Sequence, residues 1–280
     1  MKTKAFIVAL LILISCEGCT SIFFSPREKQ FFQNPWVKFY APEDVFFKTP
    51  DGLTLHGWFV KAHNGVDGTI LVLHGNAENV STHVNSALWL VDEGFNVFMF
   101  DYRGYGKSEG IPTIEGVHLD SEAALETLLA MRGVDKERII IMGQSIGGAI
   151  AVYTLAHSPY KDRVKALILD SPLASYRRIA REKIAGSIIG WPFQHPLSWL
   201  VNDDYSPVKW IKRVSPVPIV IIHGERDRVV PLRHGQLLYD AAAEPKEFWQ
   251  TTPRGHVYSF SDEKIREKLV RYLLNLFYRE

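Results

Sequence analysis

Short apolar runs alternate with amphipathic stretches from about residue 45 to the end of the 280-residue chain. The runs are rich in β-branched and aromatic residues, and the longer stretches have the spacing of helices. We predict strands at 45–48, 53–60, 69–73, 96–100, 138–142, 165–169, 218–222 and 247–251, and helices at 81–93, 115–131 and 262–278. A further helix follows residue 143 and reaches about residue 157. Buried strands separated by helices indicate an α/β fold with a mostly parallel, doubly wound sheet that is covered on both faces.

One interval does not fit this alternation. The stretch between the strands at 165–169 and 218–222 is far longer than a crossover requires, so we predict an insertion at about residues 173–216. It begins with an amphipathic segment, 177–189, and continues through a proline-broken stretch rich in aromatic residues. Such excursions commonly form lids on the loop side of a sheet. The aromatic rings would either line an apolar substrate pocket or hold the lid on the core.

Composition narrows the possible functions. Hydrophobic residues make up 46% of the chain and charged residues 22%, which excludes a disordered, collagen-like or coiled-coil protein. The net charge of +1 argues against nucleic acid as a partner. The chain has two cysteines, Cys16 and Cys19, so the remainder cannot form a disulfide framework or supply a cysteine nucleophile. The histidines are not spaced as metal ligands, and we expect neither a metal nor a cofactor.

The first residues have the layout of a secretory signal. Lys2 and Lys4 precede an unbroken apolar run at 5–14, which is too short to span a bilayer. The run leads into Leu-Ile-Ser-Cys, which resembles a bacterial lipobox, where cleavage precedes a cysteine that then carries lipid. We therefore predict a lipoprotein signal peptide at 1–15 and lipidation at Cys16, with an ordinary signal or a buried apolar strand as the alternative.

Cys19 is a weaker candidate for lipidation because no aliphatic residue lies three positions before it. Residues 16–44 are aromatic and proline-rich, so we predict a tether that packs on the domain that follows, 45–280. A lipidated Cys16 would place the protein in a bacterial cell envelope with the membrane as partner. Glu17 after it resembles a signal for the outer membrane, facing the periplasm.

A candidate nucleophile lies directly after the strand at 138–142. The segment 143–147, GQSIG, matches G-x-S-x-G and opens a helix of small residues. A sharp turn between strand and helix presents the serine hydroxyl above the sheet edge, and the glycines leave room for that turn. We predict that Ser145 is a nucleophile and that the backbone N–H of Ile146 stabilises the oxyanion.

A serine nucleophile needs a base and an acid that orients the base. His256 follows the last predicted strand and is the best-placed base. In hydrolases with a G-x-S-x-G elbow the chain order is serine, acid, histidine, and the acid follows a strand that precedes the histidine. Asp227, just beyond the strand at 218–222, is the preferred acid. Asp170, at the end of the strand at 165–169, is the rival acid.

A second oxyanion donor is expected in the loop after the strand at 69–73, which reads HGNAEN. Gly75 permits a tight turn of the backbone, and the N–H of Asn76 is the preferred donor, with Ala77 as the alternative.

These features together resemble the α/β-hydrolase superfamily over about residues 45–280. The blocks that carry the resemblance are LVLHGNAEN (71–79), DYRGYGKSEG (101–110), GQSIGG (143–148), HGERDRVVP (223–231) and Gly255-His256. They are most similar to the branch that holds serine aminopeptidase-like, monoglyceride-lipase-like and depalmitoylase-like hydrolases. The resemblance implies roles for Ser145, Asp227 and His256 as nucleophile, acid and base, and a supporting role for Asp101 and Arg103.

The sequence therefore predicts a membrane-tethered serine hydrolase that cleaves an ester or thioester through an acyl-enzyme, without a cofactor. A serine at the elbow excludes hydrolases that use an aspartate there. Two alternatives stay open: a serine aminopeptidase-like amide hydrolase, and a non-catalytic lipoprotein that uses the fold as a scaffold.

Overall fold

The computed structural model describes residues 23–27, 35–186, 188, 190–252 and 254–278. Its strands are β1 (Ser25–Pro26), β2 (Glu43–Lys48), β3 (Thr54–Val60), β4 (Gly68–Leu73), β5 (Ala77–Glu78), β6 (Phe95–Asp101), β7 (Ile139–Gln144), β8 (Val164–Asp170), β9 (Ile219–Gly224) and β10 (Lys246–Thr251). Its helices are α1 (Pro35–Tyr40), α2 (Val80–His83), α3 (Trp89–Asp92), α4 (Ile114–Ala130), α5 (Ile146–His157), α6 (Tyr176–Ala185), α7 (Gln194–Trp199), α8 (Pro207–Trp210), α9 (Arg233–Ala241) and α10 (Glu263–Tyr278).

Eight strands form one sheet in the order β10-β9-β8-β7-β4-β6-β3-β2. The pairs from β10 to β6 are parallel, whereas β3 pairs antiparallel with both β6 and β2. This is the mostly parallel sheet of an α/β-hydrolase, and it confirms the fold predicted from the alternation of strands and helices.

Both faces of the sheet are buried. Along β4, Leu71 and Leu73 pack into one apolar cluster, and Ile70 and Val72 pack into a second cluster on the opposite face. Successive side chains of a strand point to opposite faces, so each interior strand must be apolar throughout. The carboxyl ends of β7, β8 and β9 meet at one edge, where loops with the candidate residues begin.

The helix predicted at 81–93 is wrong as a single element, because the structure has α2, a 3-10 turn at Val84–Ser86 and α3. Ser86 Oγ donates to the carbonyl oxygen of His83 at 2.7 Å, and Trp89 Nε1 donates to that of Ser86 at 2.9 Å. Side-chain donors thus occupy carbonyls that a continuous helix would use, and the helix is interrupted.

The region between β8 and β9 folds over the carboxyl edge of the sheet. Its first helix, α6, ends at Ala185, earlier than the predicted segment 177–189, and short helices follow. The aromatic side chains divide into two groups. Trp191, Phe193 and Trp199 are exposed, whereas Tyr205 and Trp210 pack against Tyr153 of α5 with ring centroids 4.7 and 5.8 Å away.

The described part of the predicted tether contacts the domain at two places. Phe23 and Phe24 are buried in the core, and β1 pairs in parallel with β5. In α1, Tyr40 Oη donates to Asp92, although Phe39 is exposed. The predicted signal peptide at 1–15, Cys16 and Cys19 lie outside the described residues. No helix in the described ranges is both long and apolar enough to cross a bilayer.

Candidate active site

Ser145 lies in a strained turn between β7 and α5. Its φ is 55° and its ψ is −117°, a conformation that residues other than glycine rarely adopt. The backbone N–H of Ser145 donates to the carbonyl oxygen of Asp170 at 2.9 Å, which ties the turn to the end of β8. The turn has the geometry expected of a nucleophile elbow.

The glycine two positions after Ser145 is required by packing. A Cβ on Gly147 would overlap the carbonyl oxygen of Leu73 and lie 2.5 Å from that of His74. Helix α5 therefore approaches the end of β4 so closely that only glycine fits at this point. The close approach brings the first turn of α5 beside the loop that carries Asn76.

His256 lies in the loop between β10 and α10. Its Nε2 is 3.0 Å from Ser145 Oγ, and its Nδ1 is 2.8 Å from Asp227 Oδ2. The next residue, Val257, has a φ of 56° and donates its N–H to Ser171 Oγ at 3.2 Å. The ring is thus held between the other two side chains, and its Nδ1–H points toward the carboxylate.

Asp227 follows β9 in a loop that fixes both carboxylate oxygens. Oδ1 accepts the N–H groups of Val229 and Val230 at 2.8 Å each, while Oδ2 faces His256. Burial raises the pKa of Asp227, but hydrogen bonds from His223, His256 and the backbone outweigh it and hold the pKa well below its ordinary value. The carboxylate is therefore ionised beside the imidazole.

Asp170, the rival acid, is fully buried but has different partners. Ser259 Oγ donates to its Oδ1 at 2.7 Å, and no partner for Oδ2 occurs in the described part of the chain. Burial raises the pKa of Asp170 to about 6. The structure brings Asp227 to hydrogen-bonding distance of His256, and it places Asp170 beneath the turn as a backbone acceptor.

The two candidate oxyanion donors line the same cavity as Ser145. Ile146 begins α5, so its N–H has no acceptor within the helix. The peptide groups on both sides of Asn76 are fixed, because His74 Nδ1 donates to the carbonyl of Gly75 at 2.7 Å and Tyr105 Oη donates to that of Asn76. Ala77 also lines the cavity, so both alternatives for the second donor lie beside Ser145.

Asp101 and Arg103 lie outside that cavity and hold loops together. Arg103 pairs with Asp120 at 2.7 Å and with Asp51 at 2.8 Å, and Asp101 Oδ1 accepts the N–H of Val80 at 2.7 Å. Burial raises the pKa of Asp101. These contacts are those of supporting residues.

The cavity has a volume of about 510 Å³ and is lined by Ser145, His256 and many apolar side chains. Apolar side chains from the region after β8, the loop after β9 and the N-terminal segment contribute to the lining: Leu173, Ile179, Ala180, Ile184, Val229, Val230 and Phe23. The described aromatic residues of the insertion are not part of the lining. Lys183 is the cavity's one cationic side chain other than histidine among the described residues.

The sequence pattern does not predict that Phe23 and His83 line the cavity. His83 Nε2 donates to the carbonyl oxygen of Ala77 at 2.6 Å, and its ring stacks on His74 with centroids 4.9 Å apart. No local motif marks either residue, because the contacts that place them depend on the folded loop. In the described ranges, no group of three or more histidine, cysteine or acidic side chains is arranged to hold a metal ion.

Comparisons with known proteins agree with this architecture. The family model for serine aminopeptidase S33 matches residues 64–214, which include Ser145 but end before Asp227 and His256. The uncharacterized protein YfhR of Escherichia coli K12 is 35% identical over 277 residues, covering 96% of this chain and 92% of YfhR.

Solved structures share the fold. The Pyrococcus furiosus esterase Pf2001 superposes with a TM-score of 0.72 at 24% identity, covering 92% of this chain and 98% of the esterase. Acetyl xylan esterase 1 from Thermoanaerobacterium sp. JW/SL YS485 has a TM-score of 0.64 at 20% identity, covering 84% of this chain and 83% of that enzyme.

Proposed function

Since the chain belongs to the serine aminopeptidase S33 family of α/β-hydrolases, we propose that it is a serine hydrolase that cleaves carboxylic ester or thioester bonds through an acyl-enzyme. The observation that carries the proposal is the pair of distances at His256, 3.0 Å to Ser145 Oγ and 2.8 Å to Asp227 Oδ2. A nucleophile, a base and an orienting acid in hydrogen-bonding sequence are what this chemistry needs.

In the proposed reaction, Ser145 Oγ attacks the carbonyl carbon of the substrate while its proton passes to His256 Nε2. The bond to the leaving oxygen or sulfur then breaks, and the imidazolium returns the proton to the leaving group. Asp227 stabilises the imidazolium and keeps Nε2 free to accept the proton. Water then attacks the acyl carbon of the acyl-enzyme while one of its protons passes to His256 Nε2. The bond from the acyl carbon to Ser145 Oγ breaks, the imidazolium returns the proton to Ser145 Oγ, and the carboxylic acid is released.

Backbone N–H groups would stabilise the oxyanion that forms at each attack. Ile146 is the first donor, and Asn76 is the preferred second donor. Each such donor is worth about 10² to 10³ in rate. The Asn76 peptide is already oriented by its neighbours, so no reorganisation is needed when charge develops.

The cavity favours an acyl group over the N-terminus of a peptide. Most of its lining side chains are apolar, and no carboxylate occurs among its described lining residues. An aminopeptidase must bind the ammonium group of its substrate, for which a buried anion is the usual partner. The esterases among the structural neighbours agree with ester chemistry but show the fold alone.

Hydrolysis of matched substrates tests the proposal. Three substrates share the octanoyl chain and differ in the bond that is cleaved: p-nitrophenyl octanoate, an octanoyl thioester and an octanoyl anilide. We expect turnover of the ester and thioester, and Ser145→Ala should lower kcat by at least about 10³-fold. Ser158→Ala, just beyond the other end of α5, is the matched serine control. Absence of turnover by the wild type, or an unchanged rate for Ser145→Ala, would overturn the proposal.

We also propose that Cys16 carries a lipid that holds the mature protein on an envelope membrane, on the strength of the lipobox-like residues before it. Metabolic labelling with palmitate tests this. Cys16→Ser should abolish incorporation and release the protein from the membrane fraction, whereas Cys19→Ser should leave both unchanged. Labelling that persists in Cys16→Ser contradicts the proposed anchor.

A further inference from the structure

The N-terminal segment 23–27 lies along the loop that carries the second oxyanion donor. Strand β1 pairs in parallel with β5, so that Ser25 lies opposite Ala77 and Pro26 opposite Glu78. The N–H of Ser25 donates to the carbonyl oxygen of Asn76 at 3.4 Å. This short pairing holds the segment 23–27 against the loop that carries Asn76.

Arg27 fastens the other end of the segment. Its backbone N–H donates to the carbonyl of Glu78 at 3.2 Å, and its carbonyl oxygen accepts from Gly106 N at 3.0 Å and from Asn79 Nδ2 at 2.9 Å. The guanidinium lies 3.1 Å from the Glu78 carboxylate. Contacts with two separate loops therefore hold the chain in one register relative to the cavity.

That register places one aromatic ring in the cavity wall. Phe23 is 7% exposed and lines the cavity, and its ring meets that of Tyr176 edge to face at a centroid distance of 5.3 Å. Tyr176 begins α6, the helix that supplies Ile179 and Ile184 to the same wall. Phe23 thus contacts the first residue of α6 and lines the same cavity as Asn76.

We infer that Phe23 is a specificity-determining residue, which limits the length of the acyl chain that the cavity accepts. This inference rests on the proposed acyl-enzyme chemistry and extends it to a segment that precedes the hydrolase domain in the chain. Phe23 lines the cavity together with Ile179, Ile184 and other apolar side chains, so each added methylene would be bound favourably until the ring stops the chain. A smaller side chain at residue 23 would leave room for a longer acyl group.

The neighbouring residue provides a matched control. Phe24 is also buried, at 5% exposure, and packs in the core without lining the cavity. Loss of either ring removes a similar apolar area from the core, so Phe23→Ala and Phe24→Ala should destabilise the protein to a similar degree. Only Phe23→Ala should change chain-length preference. Phe23→Leu and Phe23→Trp extend the series with variants that keep the site filled.

The test measures kcat/KM of the full chain for p-nitrophenyl butyrate, octanoate, laurate and palmitate. Phe23→Ala should shift the preference to longer chains by about fourfold for each additional methylene accommodated, and Phe23→Trp should shift it to shorter chains. Phe24→Ala should keep the wild-type profile. An unchanged profile in Phe23→Ala and Phe23→Leu, or an equal shift in Phe24→Ala, overturns the inference.

A binding measurement separates this inference from the proposed reaction. In the Ser145→Ala background, affinities for octanoate, laurate and palmitate are measured by calorimetry, and no catalysis is required. Phe23→Ala should extend tight binding to the longer fatty acids. If the wild type hydrolyses no ester while this shift in binding occurs, the proposed hydrolysis is wrong, but the role of Phe23 in limiting chain length is supported. If no fatty acid binds, or if the affinities do not depend on residue 23, Phe23 does not limit the length of the bound chain.

Discussion

Replacement of Asp227 by asparagine tests the hydrogen bonds around His256. Asp227 Oδ1 accepts two backbone N–H groups, from Val229 and Val230, and Oδ2 accepts the Nδ1–H of His256 at 2.8 Å. Asparagine has one oxygen, and backbone amides can only donate. That oxygen must therefore stay with Val229 and Val230, which turns the NH₂ group toward His256.

An NH₂ group beside Nδ1 changes the tautomer of the imidazole. Because the amide can only donate there, Nδ1 must become the acceptor, and the ring proton moves to Nε2. Nε2 can then no longer accept the proton of Ser145. Loss of the correct tautomer in a serine-histidine-aspartate site lowers kcat by about 10⁴-fold, which corresponds to about 5.5 kcal/mol of transition-state stabilisation.

The assay compares kcat for p-nitrophenyl octanoate in the wild type, Asp227→Asn and Asp170→Asn, with urea unfolding to verify that each variant is folded. Asp170 bonds to Ser259 rather than to His256, so Asp170→Asn should keep kcat at the wild-type order of magnitude. If Asp227→Asn retains the wild-type kcat, the tautomer argument fails. If Asp170→Asn is the variant that loses kcat, the acid has been misassigned.

Three further substitutions probe the surroundings of the site. Burial raises the folded-state pKa of Asp170 from 3.8 to about 6, so this carboxyl binds more protons in the folded state than in the unfolded state. Its contribution to the free energy of unfolding should therefore fall by about 3 kcal/mol as pH rises from about 4 to about 6. Urea unfolding should show a difference between the wild type and Asp170→Asn that changes by this amount across the range, and a difference that does not depend on pH would refute the buried-acid argument. Gly147→Ala places a Cβ against the carbonyl of Leu73 at the end of β4 and should lower the free energy of unfolding by at least about 3 kcal/mol. Gly186→Ala is the control, since its Cβ meets only ordinary contacts at 3.5 Å, and it should change the free energy of unfolding by less than about 1 kcal/mol. Equal losses of stability in the two variants, measured by urea unfolding, would contradict the close approach of α5 to β4. Tyr105→Phe removes the donor to the Asn76 carbonyl and should lower kcat about tenfold with little change in KM, as measured by steady-state kinetics. An unchanged kcat would show that this hydrogen bond does not position the loop that carries Asn76.

The sequence was sufficient to predict the sheet and the juxtaposition of Ser145, Asp227 and His256. Ser145, Asp227 and His256 each follow a strand that is recognisable by its apolar residues, and the ends of parallel strands meet at one edge whatever the side chains are. Local pattern and topology therefore determine this part of the site.

The wall of the cavity could not be predicted in the same way. Phe23 reaches the site by pairing of two-residue strands separated by about fifty residues of chain, a contact that leaves no periodicity in the sequence. In the predicted insertion, the cavity-lining Ile184 lies in the amphipathic segment 177–189, and the exposed Trp191 lies in the aromatic stretch that follows. Which of them faces the cavity depends on where α6 ends, and a helix end is set by tertiary contacts as much as by propensity.

The central claim is that Ser145 is a nucleophile activated by His256. Intact-protein mass spectrometry after exposure to a fluorophosphonate, followed by mapping of the modified peptide, tests this claim most directly. We predict one adduct per wild-type chain, located on Ser145, no adduct in Ser145→Ala, and strongly slowed labelling in His256→Ala. A wild-type protein that remains unmodified, or a Ser145→Ala variant that labels as fast as the wild type, would contradict it.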